Sequence, residues 1–512
     1  MRHSCGLAQD ARAFWGGVCG IIVRMDAIVT KTQVAEAVRA AIPRLACALP
    51  LDVEAALVAA REAENHLRGR AVLDQLVENA RIAACERVPV CQDTGTVWAC
   101  LEAGPDVLVP GDVFSEVDEA VASAYAEARL RASVVRDAAL DRANTTDNTP
   151  AFCEVRFVDE PGAARLHVML KGGGSDNASR VAMLAPGTGV RGVVDEVVRC
   201  VREKGPNACP PLVVGVGIGG TFDKVAGLAK RALMRPVGEP SADPRAAALE
   251  EELLAAVNAT GVGPGGLGGR TTALSVHVVT APCHIAALPL AVNMGCSATR
   301  RATIDLRAAI AEAACAPPSA RSEMRGWPAA PVGEGKEPTR LSLPLDRERI
   351  AELKAGEACL LNGTLYTLRD AGHVRLLEEL ARDGRLPYGL EGQAIFYAGP
   401  TPAAAGRPFG AIGPTTASRM DFAAPALYRA GVAATVGKGR RGGEVREACR
   451  ESGSVYFVAS GGAAALLARC VASSETVAYG DLGTEALRRI EVVDFPVFVG
   501  IDAHGVDVHD LV

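Results

Sequence analysis

Residues 211–234 read PLVVGVGIGGTFDKVAGLAKRALM, and whether this run is a nucleotide-binding turn decides the fold. Gly215, Gly217 and Gly220 form a G-x-G-x-x-G pattern between a strand-like run and a helical one, the local setting of a dinucleotide fingerprint. The continuation speaks against it. About 20 residues on, where a second strand ending in Asp or Glu belongs, the chain reads RPVGEPSADP, a loop. The glycines then serve a tight turn and close backbone approach. KGGGSDN (171–177) is no Walker loop either, because Lys171 precedes the glycines, although its amides are free to line an anion site.

A chain of 512 residues exceeds what one core ordinarily holds and implies two or more domains. Its formal net charge of -6 supplies no basic field for nucleic acid or an anionic membrane, so the expected partners are small molecules or a second copy. The 15 cysteines are scattered, without CxxC spacing, which argues against a disulfide framework, a zinc ribbon or a ferredoxin-like run and for a reducing, cytoplasmic home. Phe14 to Val23 is apolar and follows Arg2 and Arg12. It is about half the roughly 20 residues a spanning helix needs, and no cleavage signal follows it. Residues 1–24 are therefore read as an extension.

Residues 316–340 gather Pro, Gly, Ser and charge without apolar periodicity, the mark of an exposed linker. They divide an N-terminal domain, 25–315, from a C-terminal one, 341–512. Apolar spacing predicts helix over 51–84 and over 113–135, with Asp112 as cap. RVPVCQDTGTVWAC (87–100) reads as a strand at 88–90, a turn made by Asp93 and Gly95, and a second strand. After the linker, short strand-like runs alternate with Gly turns and helices, as in VYFVAS followed by GGAAALLARCV.

Three cysteines stand out by their surroundings. Cys91 precedes QDTG, Cys209 lies ahead of the glycine turn, and Cys296 follows the apolar run ALPLAVNMG. Each sits at an element end beside turn residues that expose a side chain. Three thiolates on distant loops can hold three irons of a [4Fe-4S] cube and leave the fourth open as a Lewis acid. Taken alone, three unrelated buried thiols are the commoner case.

PVCQDTG (89–95), LRASVV (130–135), NTTDNTPA (144–151), KGGGSDN, PPLVVGVGIGGTFDKV (210–225), GPGGLGGRTTAL (263–274), APCHIAALPLAVN (281–293), GTLYTLRDAGH (363–373), GPTTASRMD (413–421) and VGKG (436–439) together resemble the iron-sulfur class I fumarate hydratases and L(+)-tartrate dehydratases. The alpha and beta parts, usually separate, are fused here. The resemblance implies a mixed α/β architecture: a larger N-terminal cluster-binding domain, a smaller C-terminal swivelling β/β/α domain, and a homodimer. It implies a [4Fe-4S] hydro-lyase of the tricarboxylic acid cycle that interconverts fumarate and L-malate.

Residue by residue, the resemblance makes Cys91, Cys209 and Cys296 the cluster ligands. Arg131, Arg369, Arg419 and Lys438 match a cationic clamp, which suits a dianion because guanidinium forks meet carboxylates with paired hydrogen bonds. Gln92 and Gly174 match polar contacts at the same site. Thr415 matches the group that takes the C3 proton, and Asp93 with His284 the pair that handles the leaving hydroxyl. A threonine is a poor base unless cations depress its pKa, and Arg419, four residues on, does so if the segment turns helical. The alternatives are a helix cap for Thr415, a core histidine at His284 and ordinary ion pairs for the arginines. His277 is read as structural. The chain departs from the family's pattern at Gly295, at Ser297 and Ala298, and at Arg440 and Arg441, which bears on substrate identity more than on reaction type. L(+)-tartrate dehydratase stays open as the other hydro-lyase, and a non-catalytic iron-sulfur sensor as the remote reading.

Overall fold

The computed structural model describes residues 27–307 and 337–511. The apolar run at 14–23 lies outside them, as does most of the 316–340 linker. The chain opens with helices α1 (Lys31–Cys47), α2 (Leu51–Ala63) and α3 (Leu67–Glu86). Thr30 and Gln33 close a capping box at the start of α1, which satisfies donors the first helical turn leaves free.

Two four-stranded sheets follow. The first has the order β8-β3-β1-β2, from β1 (Thr96–Ala103), β2 (Phe152–Phe157), β3 (Ala164–Lys171) and β8 (Arg300–Asp305). The second has the order β4-β7-β5-β6, from β4 (Arg180–Leu184), β5 (Leu212–Gly220), β6 (Ala273–Cys283) and β7 (Leu288–Gly295). Val34, Val38 and Ile42 of α1 pack on the first sheet against Val97, Leu101 and Val168. The helix Phe222–Ala232 lies directly on β5. A Cβ on Gly215 would stand 2.2 Å from the Ala229 carbonyl oxygen, and one on Gly217 2.4 Å from that of Val225. These glycines serve close backbone approach between strand and helix.

The C-terminal part builds one seven-stranded sheet from β9 (Thr339–Leu343), β10 (Ala358–Thr367), β11 (Ala394–Phe396), β12 (Ala434–Gly437), β13 (Val455–Val458), β14 (Val471–Ala478) and β15 (Leu487–Ile501). Strands β9 to β13 run parallel, and β15 runs antiparallel to both β13 and β10. That double pairing closes five strands into a ring, which leaves fewer edges to protect. The mixed helix-and-sheet class expected from the sequence is what the chain adopts.

Packing crosses the two halves. Leu57, Leu73 and Leu76 of α2 and α3 share one apolar cluster with Leu361, Phe396 and Phe457. Asn79, fully buried, donates to the carbonyls of Val90 (3.0 Å) and Gly462 (2.8 Å) and accepts from the amides of Ala465 and Leu466. It thereby caps the helix Ala464–Arg469 and ties it to the segment before Cys91.

Two local expectations change. Residues 88–90 form no strand, because Pro89 interrupts the donors and the Val90 amide turns to the Ala46 carbonyl. The helix expected over 113–135 is confined to Val117–Glu127. Arg129 turns left-handed (φ 51°) and the Leu130 amide closes on the Tyr125 carbonyl, while Asp112 accepts from the Phe114 amide in a turn ahead of the helix.

Candidate active site

Strand register brings the three cysteine loops to one place. Thr96 at the start of β1 stands opposite Lys171 at the end of β3, and Arg300 at the start of β8 opposite Leu170. In the second sheet Val213 faces Gly295. Cys91 before β1, Cys209 before β5 and Cys296 after β7 therefore gather where the chain passes from one sheet to the other. The backbone confirms the contact: the Ser297 amide donates to the Cys209 carbonyl at 3.0 Å.

Lys438, from the C-terminal half, closes this cluster. Its Nζ donates to Cys209 Sγ at 2.6 Å. Burial pushes the thiols of Cys91 and Cys209 up, the latter to about 11. Burial works against the Lys438 ammonium, but Cys209, Cys91 and Cys296 together hold it charged. Cys209 itself is left-handed (φ 59°), a costly geometry for a side chain with a Cβ and one that concentrates at functional sites. A Cβ on Gly461 would fall 2.2 Å from Cys209 Sγ, so the sulfur lies against bare backbone. Among the described residues no three His, Cys, Asp or Glu side chains close on a single metal ion.

Asp93 lies beside the thiols. Its carboxylate accepts from the Gly173 amide at 2.9 Å and the Gly95 amide at 3.2 Å, and pairs with Arg131 at 3.3 Å. Burial opposes its charge, but Arg131, Arg300 and Lys438 outweigh burial and hold the carboxyl below its usual range. One amide after Lys171, that of Gly173, does meet an anion, and it is this side chain. Gly174 carries no Cβ to obstruct Lys438, whose Nζ would be 3.4 Å from one.

Arginines from both halves meet at Gly399. Arg131 donates to the Gly399 carbonyl at 2.8 Å, and a Cβ on Gly399 would be 2.8 Å from Arg369 Nε. Burial, followed by the charge of Arg131, pushes Arg369 down to about 10. Arg369 pairs with Glu485 at 3.1 Å, and Arg419 makes a forked pair with Asp370 at 3.0 and 2.5 Å. Asp370, with φ 37°, and Glu485 give no signal as site residues beyond adjacency to Arg369 in the first case.

Thr415 is buried, its amide bonded to the Tyr397 carbonyl and its own carbonyl accepting from the Lys438 amide at 3.2 Å. The segment does turn into a short helix, Ala417–Met420, with Thr416 at its cap position, so Thr415 caps nothing. Arg419 is exposed and spends its fork on Asp370. Gln92 bridges the halves, donating to the Pro414 carbonyl at 3.2 Å while its oxygen lies 3.5 Å from Cys91 Sγ.

His284 is not brought to this place within its own chain. It follows Cys283, which pairs with Gly220 at the far end of β5, eight strand rises or about 26 Å from Leu212. It is exposed, and its Nδ1 accepts from the Ala286 amide at 3.1 Å. His277 is buried against Ser275 (2.9 Å), in keeping with a structural role.

Two unlike domains with three cysteine thiols, two of them buried, a carboxylate and an arginine cluster at their junction describe a hydro-lyase of the fumarase class. Residues 35–305 match the family model described as fumarate hydratase, and residues 318–512 the model described as fumarase C-terminus. The chain belongs to this family. It is 34% identical over 459 residues to the anaerobic class I fumarate hydratase of Escherichia coli, covering 85% of this chain and 81% of that one. It is 30% identical over 464 residues to fumarate hydratase 2 of Leishmania major, covering 86% and 80%. Its N-terminal part is 38% identical over 260 residues to a putative L(+)-tartrate dehydratase subunit alpha of Methanocaldococcus jannaschii, covering 50% of this chain and 90% of that one. No helix among the described residues is long and apolar enough to cross a membrane.

Proposed function

We propose that this chain is a [4Fe-4S]-dependent fumarate hydratase, reversibly adding water to fumarate to form L-malate. The observation that carries the reading is the gathering of the Cys91, Cys209 and Cys296 loops at one place, with Lys438 Nζ on Cys209 Sγ at 2.6 Å and the Ser297 amide on the Cys209 carbonyl. The donor set fits the cluster: three thiols at loop ends, those of Cys91 and Cys209 buried, beside cations that favour thiolate forms once iron draws the protons off. When bound, such a cluster supplies an open iron as Lewis acid for the substrate hydroxyl.

The chain's own residues do the rest. Among the described residues, Arg131, Arg369, Arg419 and Lys438, with Arg300 behind them, face the three carboxylates of Asp93, Asp370 and Glu485. That excess of positive charge suits a dicarboxylate. Held ionised, Asp93 takes a proton from water in the hydration direction and returns it in dehydration. Thr415, next to the Lys438 backbone, removes the C3 proton of malate. Gln92 and Gly174 line the same space. We propose a homodimer in the cytoplasm, since His284 can serve a site only if a second copy presents it.

The similarity to a putative tartrate dehydratase subunit over the N-terminal part supports L(+)-tartrate as the second reading. An anaerobic assay of the iron-reconstituted protein with fumarate, L-malate, mesaconate and L-tartrate side by side decides it. The expected result is highest kcat/KM for fumarate and L-malate, and turnover of L-tartrate alone overturns the reading.

A further inference from the structure

Arg300 is 1% exposed, and its hydrogen-bond donors are poorly met. Its Nη2 donates to the backbone carbonyl of Asp93 at 2.7 Å, but Nε and Nη1 have no hydrogen-bond partner among the described residues. Neighbouring cations differ. Lys171 pairs with Asp176 at 3.3 Å, Arg131 with Asp93, and Arg301, one residue on, with Asp52 at 2.6 Å. A buried guanidinium with unmet donors is costly, so the fold tolerates it where further anionic charge is to meet it.

Its position indicates which anion. Arg300 comes four residues after Cys296, beyond a turn in which the amide and hydroxyl of Thr299 both donate to the Cys296 carbonyl (2.9 and 2.7 Å). Its bond to Asp93 reaches the carbonyl two residues after Cys91. One side chain therefore ties the Cys91 loop to the Cys296 turn, and Arg300, Cys296 and Lys171 line a common cavity beneath the site.

We propose that Arg300 is a positioning residue and the fixed counter-charge of the cluster site, bridging two ligand loops and compensating the anionic charge that the three thiolates and their cluster bring. The inference rests on the cluster reading above. It makes a prediction of opposite sign for two states of the protein. In the metal-free state Arg300→Met removes a buried guanidinium whose Nε and Nη1 have no hydrogen-bond partner among the described residues, so its thermal midpoint equals or exceeds that of wild type. In the reconstituted state the same change speeds loss of iron to a chelator by about 10–100-fold, the usual cost of removing a group that supports metal ligands, and shifts the cluster's reduction potential negative. Arg300→Lys keeps the charge and falls between the two.

The test measures metal-free thermal unfolding, iron release and reduction potential for wild type and both variants. Unchanged iron release and potential in Arg300→Met overturn the proposal. So does a metal-free Arg300→Met that unfolds below wild type or fails to fold, because the side chain is then a packing element only. Wild type that takes up neither iron nor sulfide removes the cluster reading itself, and this proposal falls with it.

Discussion

Lys438 Nζ lies 2.6 Å from Cys209 Sγ, so an ammonium carried by the C-terminal half rests on a thiol carried by the N-terminal half. The site exists only while the two are docked. Lys438→Met removes a charge from the proposed clamp, and kcat/KM is expected to fall at least about 100-fold, about 3 kcal/mol of transition-state binding. Lys438→Arg is expected not to rescue it, because a planar guanidinium does not reproduce the point contact of the ammonium on Cys209 Sγ. Steady-state kinetics of both variants check this.

Thr415→Ala leaves the thiols and the clamp in place. Substrate binding is expected to stay near normal while turnover falls at least about 100-fold, the low end for a positioned acid-base group. Exchange of the malate C3 proton with solvent deuterium, followed by NMR, is expected to vanish. Persistent exchange would move the base to Asp93.

Cys91→Ser, Cys209→Ser and Cys296→Ser are each expected to abolish the brown colour and bound iron of the anaerobic protein, whereas Cys470→Ser, just before β14 with its Sγ on the Leu466 and Asp494 carbonyls, retains both. Wild-type activity is expected to decay in air and return with ferrous iron and thiol. Iron and sulfide analysis, with activity before and after aeration, checks both statements.

Asn79→Ala deletes two donors and two accepted bonds in a fully buried position. Orphaned carbonyls and a lost cap are each worth about 1–2 kcal/mol, so a loss of about 3 kcal/mol is expected in urea unfolding of the metal-free protein. Asn79→Asp keeps the cap but buries a charge, and is expected to be no better.

Two buried histidines set an acid limit. Burial pushes both His277 and His373 down from 6.5 to about 3, so they stay neutral in the fold and charge in the unfolded chain. Between pH 6.5 and about 3 the unfolded state binds more protons, and stability falls as pH falls. The unfolding midpoint is expected to be lower at pH 5 than at pH 7. His373→Phe, whose ring can replace the edge contact to Tyr397 at 5.2 Å, is expected to flatten that slope.

Much of the site is legible in short runs of sequence, because ligands and turn glycines travel together: Cys91 with its QDTG, Cys209 with the glycines that let Phe222–Ala232 lie on β5, Lys438 within VGKG. Element types follow equally from local chemistry, since period, caps and glycines act over a few residues. Their limits are visible too, at Pro89 and at Arg129, where one residue's backbone overrode the apolar spacing. What only the tertiary structure decided is juxtaposition. Strand register put Cys209 and Cys296 at one end of a sheet and His284 at the other, and a one-dimensional motif carries no trace of which end it occupies. Packing joined α2 and α3 to the C-terminal core through Asn79, across the boundary that composition suggests. The unmet donors of Arg300 and the grip of Asp370 on Arg419 likewise come from burial and from partners far away in the chain. Local sequence determines what each segment can offer, and the cost of burying charge without a partner determines which segments must meet.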